Sequence, residues 1–134
     1  MVMGHSAGGG GAFTAAVQRS SLKTVVGLAP ASASNMGSLR MPVMIISGQY
    51  DDVITTSYIN GIWTSLSTTI QRAWIELANN DHLSFTRSNP TEMRVLIPWM
   101  KIFLDNDTRY TQFLCPLADS TGISNYYNSC PFVP

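Results

Sequence analysis

The feature that most constrains the fold of this chain is a serine set between closely spaced glycines near its N-terminus. Residues 4–8 read Gly-His-Ser-Ala-Gly and fit the pattern G-x-S-x-G, which marks a strained strand–turn–helix unit that exposes the serine hydroxyl. Glycine suits such a turn because, without a Cβ, the strand and the helix can approach each other closely. The stretch therefore predicts a strand, a sharp turn and a helix, with Ser6 as a candidate nucleophile.

The same glycines admit a second interpretation, a plain glycine-rich loop that opens a helix or cradles a phosphate. No Gly-Lys-Ser/Thr follows, and the glycines lack the G-x-G-x-x-G spacing, so the phosphate-binding interpretation is weak. Because a bare G-x-S-x-G is common by chance, the nucleophile interpretation depends on residues further along the chain.

Length and composition limit the classes of protein to consider. A chain of 134 residues with 45% hydrophobic and 12% charged residues is typical of one compact α/β domain, here residues 1–134. Eight basic and eight acidic residues cancel, which argues against nucleic acid or an anionic membrane as a partner. No apolar run reaches the roughly 18 residues of a membrane span. Met1-Val2-Met3 has no charged n-region, so no signal peptide is expected there.

Hydrophobic periodicity predicts alternating strands and helices. Strands are expected over 1–4, 24–29, 43–47 and 70–77, and helices over 7–19, 57–66 and 91–105. Pro98 is expected to kink the last helix or delay its start. Residues 106–134 are interpreted as an irregular C-terminal tail. The alternation predicts an α/β fold, a parallel sheet with right-handed crossovers, flanked by helices.

The candidate partners of Ser6 follow two of the predicted strands. A serine hydroxyl needs a base to take its proton, and the base needs a carboxylate to orient it. His82 lies in the loop after the last predicted strand, and Asp51 and Asp52 follow the strand over 43–47. The carboxyl ends of parallel strands are where such sheets carry ligands. His82 on its own would be an ordinary surface histidine, but the chain order Ser…Asp…His is that of α/β-hydrolases.

The remaining polar candidates are assigned supporting roles. His5 lies beside Ser6 on the turn and is expected to point away from its hydroxyl, as a packing or pocket-lining residue. Asp81 adjoins His82 and is interpreted as a loop cap, and Glu76 alternates with apolar residues on a strand, so it is structural or exposed. Cys115 and Cys130 are either free thiols or one disulfide, and a pair near the end of a chain favours the disulfide and an oxidising compartment.

Several stretches together resemble one known family. Residues 4–11, Gly-His-Ser-Ala-Gly-Gly-Gly-Gly, resemble the nucleophile turn of bacterial cutinase-like polyester hydrolases, a group that includes poly(ethylene terephthalate) (PET) hydrolases. Residues 21–30 and 42–51 are similar to theirs as well. So are residues 105–110, Asp-Asn-Asp-Thr-Arg-Tyr, followed by Phe113 and Cys115-Pro116. The resemblance covers essentially the whole chain but only the C-terminal half of the family, and it implies an α/β-hydrolase fold over that half.

The resemblance also implies a function and its residues. It predicts a secreted serine ester hydrolase that acts on an ester or polyester through an acyl-enzyme, without a cofactor or metal. Ser6 would attack, His82 would act as base and then acid, and Asp51, with Val53 two residues on, would orient His82. The Ala7 N–H would hold the oxyanion, and a disulfide would join Cys115 to Cys130. The acyl pocket would be lined by His5, Ala7, Ala31, Val53 and Leu83.

Departures from the family bear on substrate and, through the missing N-terminal half, support a second hypothesis of another class. Ala31 stands where the polyester hydrolases carry a tryptophan, and Ala7 replaces a methionine. The family also carries further strands and helices before the nucleophile turn, including a loop with a second oxyanion N–H. The strand over 1–4 would then lie at a bare sheet edge, which tends to recruit another strand, and a homodimer is the simplest closure. The alternative is therefore a catalytically weak, self-associating α/β fragment.

Overall fold

The structure is a computed structural model that describes residues 1–134. It contains three α-helices and five strands. The helices are α1 (Ala7–Gln18), α2 (Thr56–Ser65) and α3 (Pro90–Asp105), and the strands are β1 (Val2–His5), β2 (Val25–Leu28), β3 (Val43–Gly48), β4 (Arg72–Leu77) and β5 (Ile123–Asn128). Short 3-10 turns occupy Met36–Ser38, His82–Thr86 and Thr108–Phe113.

The five strands form one sheet in the order β1-β2-β3-β4-β5. The first four pair in parallel, as the alternation of strands and helices predicted. Every residue of β2 and β3 is buried, because both faces of a parallel sheet are covered by its crossover helices. β1 lies at one edge of the sheet, and β5 lies at the other and pairs antiparallel with β4.

The prediction of an irregular tail over 106–134 is wrong in two places. A 3-10 turn spans Thr108–Phe113, and β5 pairs with β4 from Ala73↔Asn128 to Leu77↔Ile123. β5 reads Ile-Ser-Asn-Tyr-Tyr-Asn, and besides its backbone pairing it is held by Ile123 and Tyr126, which pack against the core, and by Tyr127, which stacks on Trp74. The predicted disulfide between Cys115 and Cys130 is confirmed, and it joins this turn's end to the end of β5.

Alternate residues of the strands build two cores, one on each face of the sheet. Val25, Val43 and Ile45 face α1 and α2, and their neighbours Val26, Met44 and Ile46 face α3. Side chains alternate between the two faces because the strand repeat is two residues. Burying each such side chain contributes about 1.5–3 kcal/mol, so the central strands fix the sheet to which the site is attached.

α3 runs as one helix through Pro98, and its start is not delayed. It begins at Pro90, because the Asn89 side chain accepts the Glu92 N–H and a proline fits the first helical turn. Pro98 removes one backbone hydrogen bond, but the helix packs a fully buried Trp99 against the sheet, and Trp99 Nε1 donates to Thr24 Oγ1 at 2.9 Å. None of the three helices has both the length and the apolar character that a membrane crossing requires.

Candidate active site

Ser6 lies on a strained turn between β1 and α1. Its φ is 55° and its ψ is −121°, a backbone conformation that costs energy for a residue with a Cβ. The turn is held from the side of β2, because the Ser6 N–H donates to the Leu28 carbonyl at 2.9 Å and the Ser6 carbonyl accepts the Ala31 N–H at 2.8 Å. The end of β2 therefore fixes the direction of the Ser6 side chain.

Gly4 and Gly10, on either side of Ser6, are required by close contacts. A Cβ on Gly4 would lie 2.2 Å from the Gly8 carbonyl oxygen, and a Cβ on Gly10 would lie 1.8 Å from the Ala31 carbonyl oxygen. Gly11, one residue further along α1, faces open space. The run of glycines thus brings α1 against β1 and against the segment after β2, as the strand–turn–helix pattern predicted.

The structure brings Ser6, His82 and Asp51 together at the carboxyl ends of β1, β4 and β3. The distance from Ser6 Oγ to His82 Nε2 is 2.9 Å, and that from His82 Nδ1 to Asp51 Oδ2 is 2.8 Å. The side chain of Asp51 is fully buried and that of His82 is 14% exposed. An ionised carboxylate only accepts hydrogen bonds, so His82 carries its proton on Nδ1 and leaves Nε2 to accept the Ser6 hydroxyl proton.

Asp51 is held in place by the backbone that follows it. Its Oδ1 accepts the N–H groups of Val53 at 2.9 Å and Ile54 at 2.7 Å, which leaves Oδ2 for His82. Asp52 is exposed to solvent. Of the two adjacent carboxylates, Asp51 is thus the one that contacts His82.

The loop that carries His82 is tied to the loop that carries Asp51. The Tyr50 N–H donates to the Asn80 carbonyl at 2.8 Å, and a Cβ on Gly48 would lie 2.5 Å from the same oxygen. Asp81 caps the 3-10 turn that begins at His82, accepting the Leu83 N–H at 3.0 Å, as the sequence predicted. Acid and base therefore lie on two segments that are clamped to each other.

Of the residues predicted to bind substrate, Ala7 adjoins Ser6 and Leu83 adjoins His82 in the chain, and Ala31 donates its N–H to the Ser6 carbonyl. Ala7 is the first residue of α1, so its N–H has no acceptor within the helix. Val53 and Leu83 are 62% and 54% exposed, and Ala31 is half-buried. The five surface cavities of the structure are lined by other residues, so the acyl pocket stays a prediction.

The side chain of His5 contacts the loop of His82. Its Nε2 lies 2.9 Å from the His82 carbonyl oxygen. Its ring centroid is 4.8 Å from that of His82 and 5.6 Å from that of Phe85. His5 thus packs beside the site, as predicted. The hydrogen bond to the backbone carries no sequence signal and was not predicted.

A buried carboxylate near the site was left undecided by the sequence. Glu76 on β4 is 2% exposed and accepts hydrogen bonds from the Thr56 hydroxyl, from Ser124 Oγ at 2.7 Å and from Asn125 Nδ2 at 3.0 Å. Burial by itself would raise the pKa of Glu76, but these three hydrogen bonds together hold its pKa below the ordinary value. Glu76 therefore joins β5 and the start of α2 to β4.

Comparison with known proteins gives a consistent result. A family model described as PET hydrolase-like (PETase) matches residues 1–131. Cutinase 2 of Thermobifida cellulosilytica is 38% identical over 137 residues, which cover 98% of this chain and 52% of that protein. A bis(hydroxyethyl) terephthalate hydrolase of Streptomyces coelicolor is 38% identical, over 97% of this chain and 43% of its own length.

The chain spans about half the length of the curated relatives it matches. Over that half, the mostly parallel five-stranded sheet with flanking helices is consistent with the α/β-hydrolase fold. The predicted resemblance is confirmed, and the chain belongs to the PET hydrolase-like family.

Proposed function

We propose that this chain is a serine ester hydrolase in which Ser6, His82 and Asp51 act as nucleophile, base and orienting acid. The observation that carries the proposal is the unbroken series of contacts, 2.9 Å from Ser6 to His82 and 2.8 Å from His82 to Asp51. It lies in a chain similar to cutinases and to a bis(hydroxyethyl) terephthalate hydrolase. The strained φ of Ser6 supports it, since strain of this kind concentrates at functional turns.

The reaction proceeds through an acyl-enzyme. Ser6 Oγ attacks the ester carbonyl carbon while its proton passes to His82 Nε2, and the buried Asp51 carboxylate stabilises the imidazolium. The tetrahedral intermediate collapses as His82 gives the proton to the leaving alcohol, and Ser6 keeps the acyl group. Water then attacks the acyl-enzyme with His82 again as base, which releases the acid and restores Ser6.

The negative oxygen of each tetrahedral intermediate is held by the Ala7 N–H at the start of α1. A donor aimed at this position contributes about 3–4 kcal/mol to transition-state stabilisation. The dipole of α1 also stabilises this negative oxygen, since α1 begins at Ala7 and its positive end faces the turn.

The substrate we propose is a carboxylic ester, including polyesters of the PET type. The proposal follows from the names of the relatives, cutinase and bis(hydroxyethyl) terephthalate hydrolase. The exposed side chains of Val53 and Leu83 offer apolar contact for the acyl group. Ala31 leaves that surface without an aromatic wall, and His5 and Ala7 complete the lining.

We further propose that residues 1–134 act as one domain and that the protein is secreted. The disulfide between Cys115 and Cys130 supports secretion, since disulfides persist in oxidising compartments.

Covalent labelling tests the proposed function directly. A fluorophosphonate reacts quickly only with an activated serine, so we expect the wild-type chain to gain one adduct, located at Ser6 by peptide mass spectrometry. The variant Ser6→Ala should gain none and should not hydrolyse a short-chain p-nitrophenyl ester. Ser20→Ala removes an exposed serine in the turn after α1 and serves as the matched control, with full labelling. A wild-type chain that stays unlabelled would contradict the proposal.

One observation favours the second candidate, a weakly active chain that self-associates. The Val2 N–H donates to Thr24 and the Ser6 N–H to Leu28, so the intervening Met3 and His5 direct their backbone N–H and C=O groups away from β2. These groups line a sheet edge that accepts another strand. We propose that a second copy of the chain pairs there.

A further inference from the structure

His5 makes a hydrogen bond that links the strand of the nucleophile to the loop of the base. Its Nε2 lies 2.9 Å from the backbone carbonyl oxygen of His82, 77 residues away in the chain. Apart from the Ser6–His82 contact, no other hydrogen bond joins residues 1–10 to the loop that carries His82. The two loops of Asp51 and His82 are clamped to each other, but only His5 holds the backbone of His82 to β1.

The chemistry of this contact determines which ring nitrogen of His5 carries a hydrogen. A carbonyl oxygen only accepts hydrogen bonds, so His5 Nε2 must carry a hydrogen. His82 has the opposite arrangement, with its hydrogen on Nδ1, because Asp51 Oδ2 accepts there at 2.8 Å. The two imidazoles lie with centroids 4.8 Å apart, and each is held in one tautomer by a different acceptor.

The contact sets the distance across which a proton must move. His5 directly precedes Ser6, and the carbonyl that it holds belongs to the residue whose Nε2 lies 2.9 Å from Ser6 Oγ. A shift of the His82 backbone away from β1 would lengthen that distance, and an error of about 1 Å can cost about a hundredfold in rate.

We propose that His5 is a positioning residue, whose Nε2–H holds the His82 carbonyl so that the His82 ring stays within reach of Ser6. This role rests on the proposed ester hydrolysis and goes beyond lining the acyl pocket. The positioning role depends on the N–H donor of His5 and not on its aromatic ring. Substitutions that keep one and remove the other can therefore test it.

Two substitutions separate the donor from the ring. His5→Gln keeps an N–H donor at a reach close to that of Nε2, and His5→Phe keeps a ring of similar shape without a donor. We expect Phe to lower kcat by about tenfold to a hundredfold with a smaller change in KM, and Gln to restore most of that loss. To obtain kcat per active site, each rate is divided by the concentration of serine that fluorophosphonate labels. Unfolded protein then does not lower the value. A Phe variant with kcat equal to or above that of Gln would overturn the proposal.

A measurement on the resting protein separates this proposal from the proposed function. The chain has two histidines, so ¹⁵N-histidine spectra of the wild type and of His5→Phe assign both rings. We expect the neutral form of His5 to carry its hydrogen on Nε2 and that of His82 to carry it on Nδ1. In His5→Phe the His82 Nδ1–H signal should shift and exchange faster with water, and His5→Gln should reverse both changes. His5 protonated on Nδ1 alone would overturn the inference, whereas a wild type without labelled serine would overturn ester hydrolysis instead.

Discussion

Two adjacent carboxylates, Asp51 and Asp52, differ in what surrounds them. Asp51 is buried, with one oxygen held by two backbone N–H groups and the other facing His82. Asp52 is exposed. A carboxylate that is already fixed needs no reorganisation when the imidazolium forms beside it, and this is the condition under which such a group stabilises charge.

We therefore expect Asp51→Asn to lower kcat for a p-nitrophenyl ester by about 10³–10⁴. The new amide can present an N–H to His82 Nδ1 and hold the histidine in the tautomer that cannot accept the Ser6 proton. Asp52→Asn is the matched control and should leave turnover close to that of the wild type. The reverse ranking would assign the acid to Asp52 and contradict the contact to His82.

Glu76 predicts a pH dependence of stability with a defined sign. Burial would raise its pKa, but the hydrogen bonds from Thr56, Ser124 and Asn125 hold the pKa below its ordinary value. A carboxylate with a lowered pKa stabilises the fold above the pKa of the unfolded chain and loses that contribution as the pH falls towards the folded pKa. Glu76→Gln should therefore lower the free energy of unfolding by about 1–3 kcal/mol at neutral pH, and the difference should shrink in acid.

Glu92 provides the control, because burial raises its pKa without a compensating partner. A carboxylate with a raised pKa makes the fold more stable as the pH falls, so Glu92→Gln should have the opposite sign at neutral pH. Urea unfolding of both variants at neutral and acid pH measures the two differences. Equal pH dependence of the two variants would contradict the opposed directions of their pKa shifts.

The catalytic residues proposed here were predictable from the sequence, but their supports were not. Ser6 lies in the G-x-S-x-G motif, and the chain has only one other histidine besides His82 that could act as the base. The acceptor of His5 is a backbone carbonyl, which has the same form at every residue. The partners of Glu76 lie 20 to 49 residues away, and no local pattern connects them.

Among the secondary-structure elements, the four parallel strands and three helices were predictable, and β5 was not. The buried strands are near-continuous runs of apolar residues, as expected for a parallel sheet that is covered on both faces. β5 has only three half-buried positions, Ile123, Ser124 and Tyr126, so its periodicity is faint. Its position is set by backbone pairing with β4, by the hydrogen bonds of Ser124 and Asn125 to Glu76, and by the disulfide at its end. The two cysteines predicted the disulfide, but the pairing with β4 and the contacts with Glu76 leave no pattern in the local sequence.

The glycines of α1 give a prediction about how that helix is held. A Cβ on Gly10 would lie 1.8 Å from the Ala31 carbonyl oxygen, whereas a Cβ on Gly11 would meet nothing within 4 Å. Gly10→Ala must push α1 away from the segment that holds the Ser6 turn, so we expect it to lower the melting temperature and fluorophosphonate reactivity. Gly11→Ala should raise stability by up to about 1 kcal/mol through helix propensity. Equal effects of the two variants, measured by thermal unfolding and labelling, would contradict this packing.

For the molecule taken together, the two edges of the sheet are unlike each other. β5 covers the edge of β4 with a strand of three polar residues, Ser124, Asn125 and Asn128, and three apolar or aromatic ones, Ile123, Tyr126 and Tyr127. β1 presents the other edge, where Met3 is 37% exposed and the backbone groups of Met3 and His5 have no strand beside them. The site lies at this second edge, since Ser6 follows β1 directly.

We accordingly expect the purified chain to form a dimer, or a larger assembly, through β1. Two copies related by a twofold axis would pair their β1 strands antiparallel, satisfying the outward N–H and C=O groups of Met3 and His5 in both. Met3→Lys places a charge on this edge and should convert the dimer to a monomer in light scattering at micromolar concentration, because edge lysines oppose strand addition. Met93→Lys, on the exposed face of α3, is the matched control and should leave the dimer intact. A monodisperse wild-type monomer would contradict pairing at β1, and a dimer abolished only by Met93→Lys would place the interface on α3 instead.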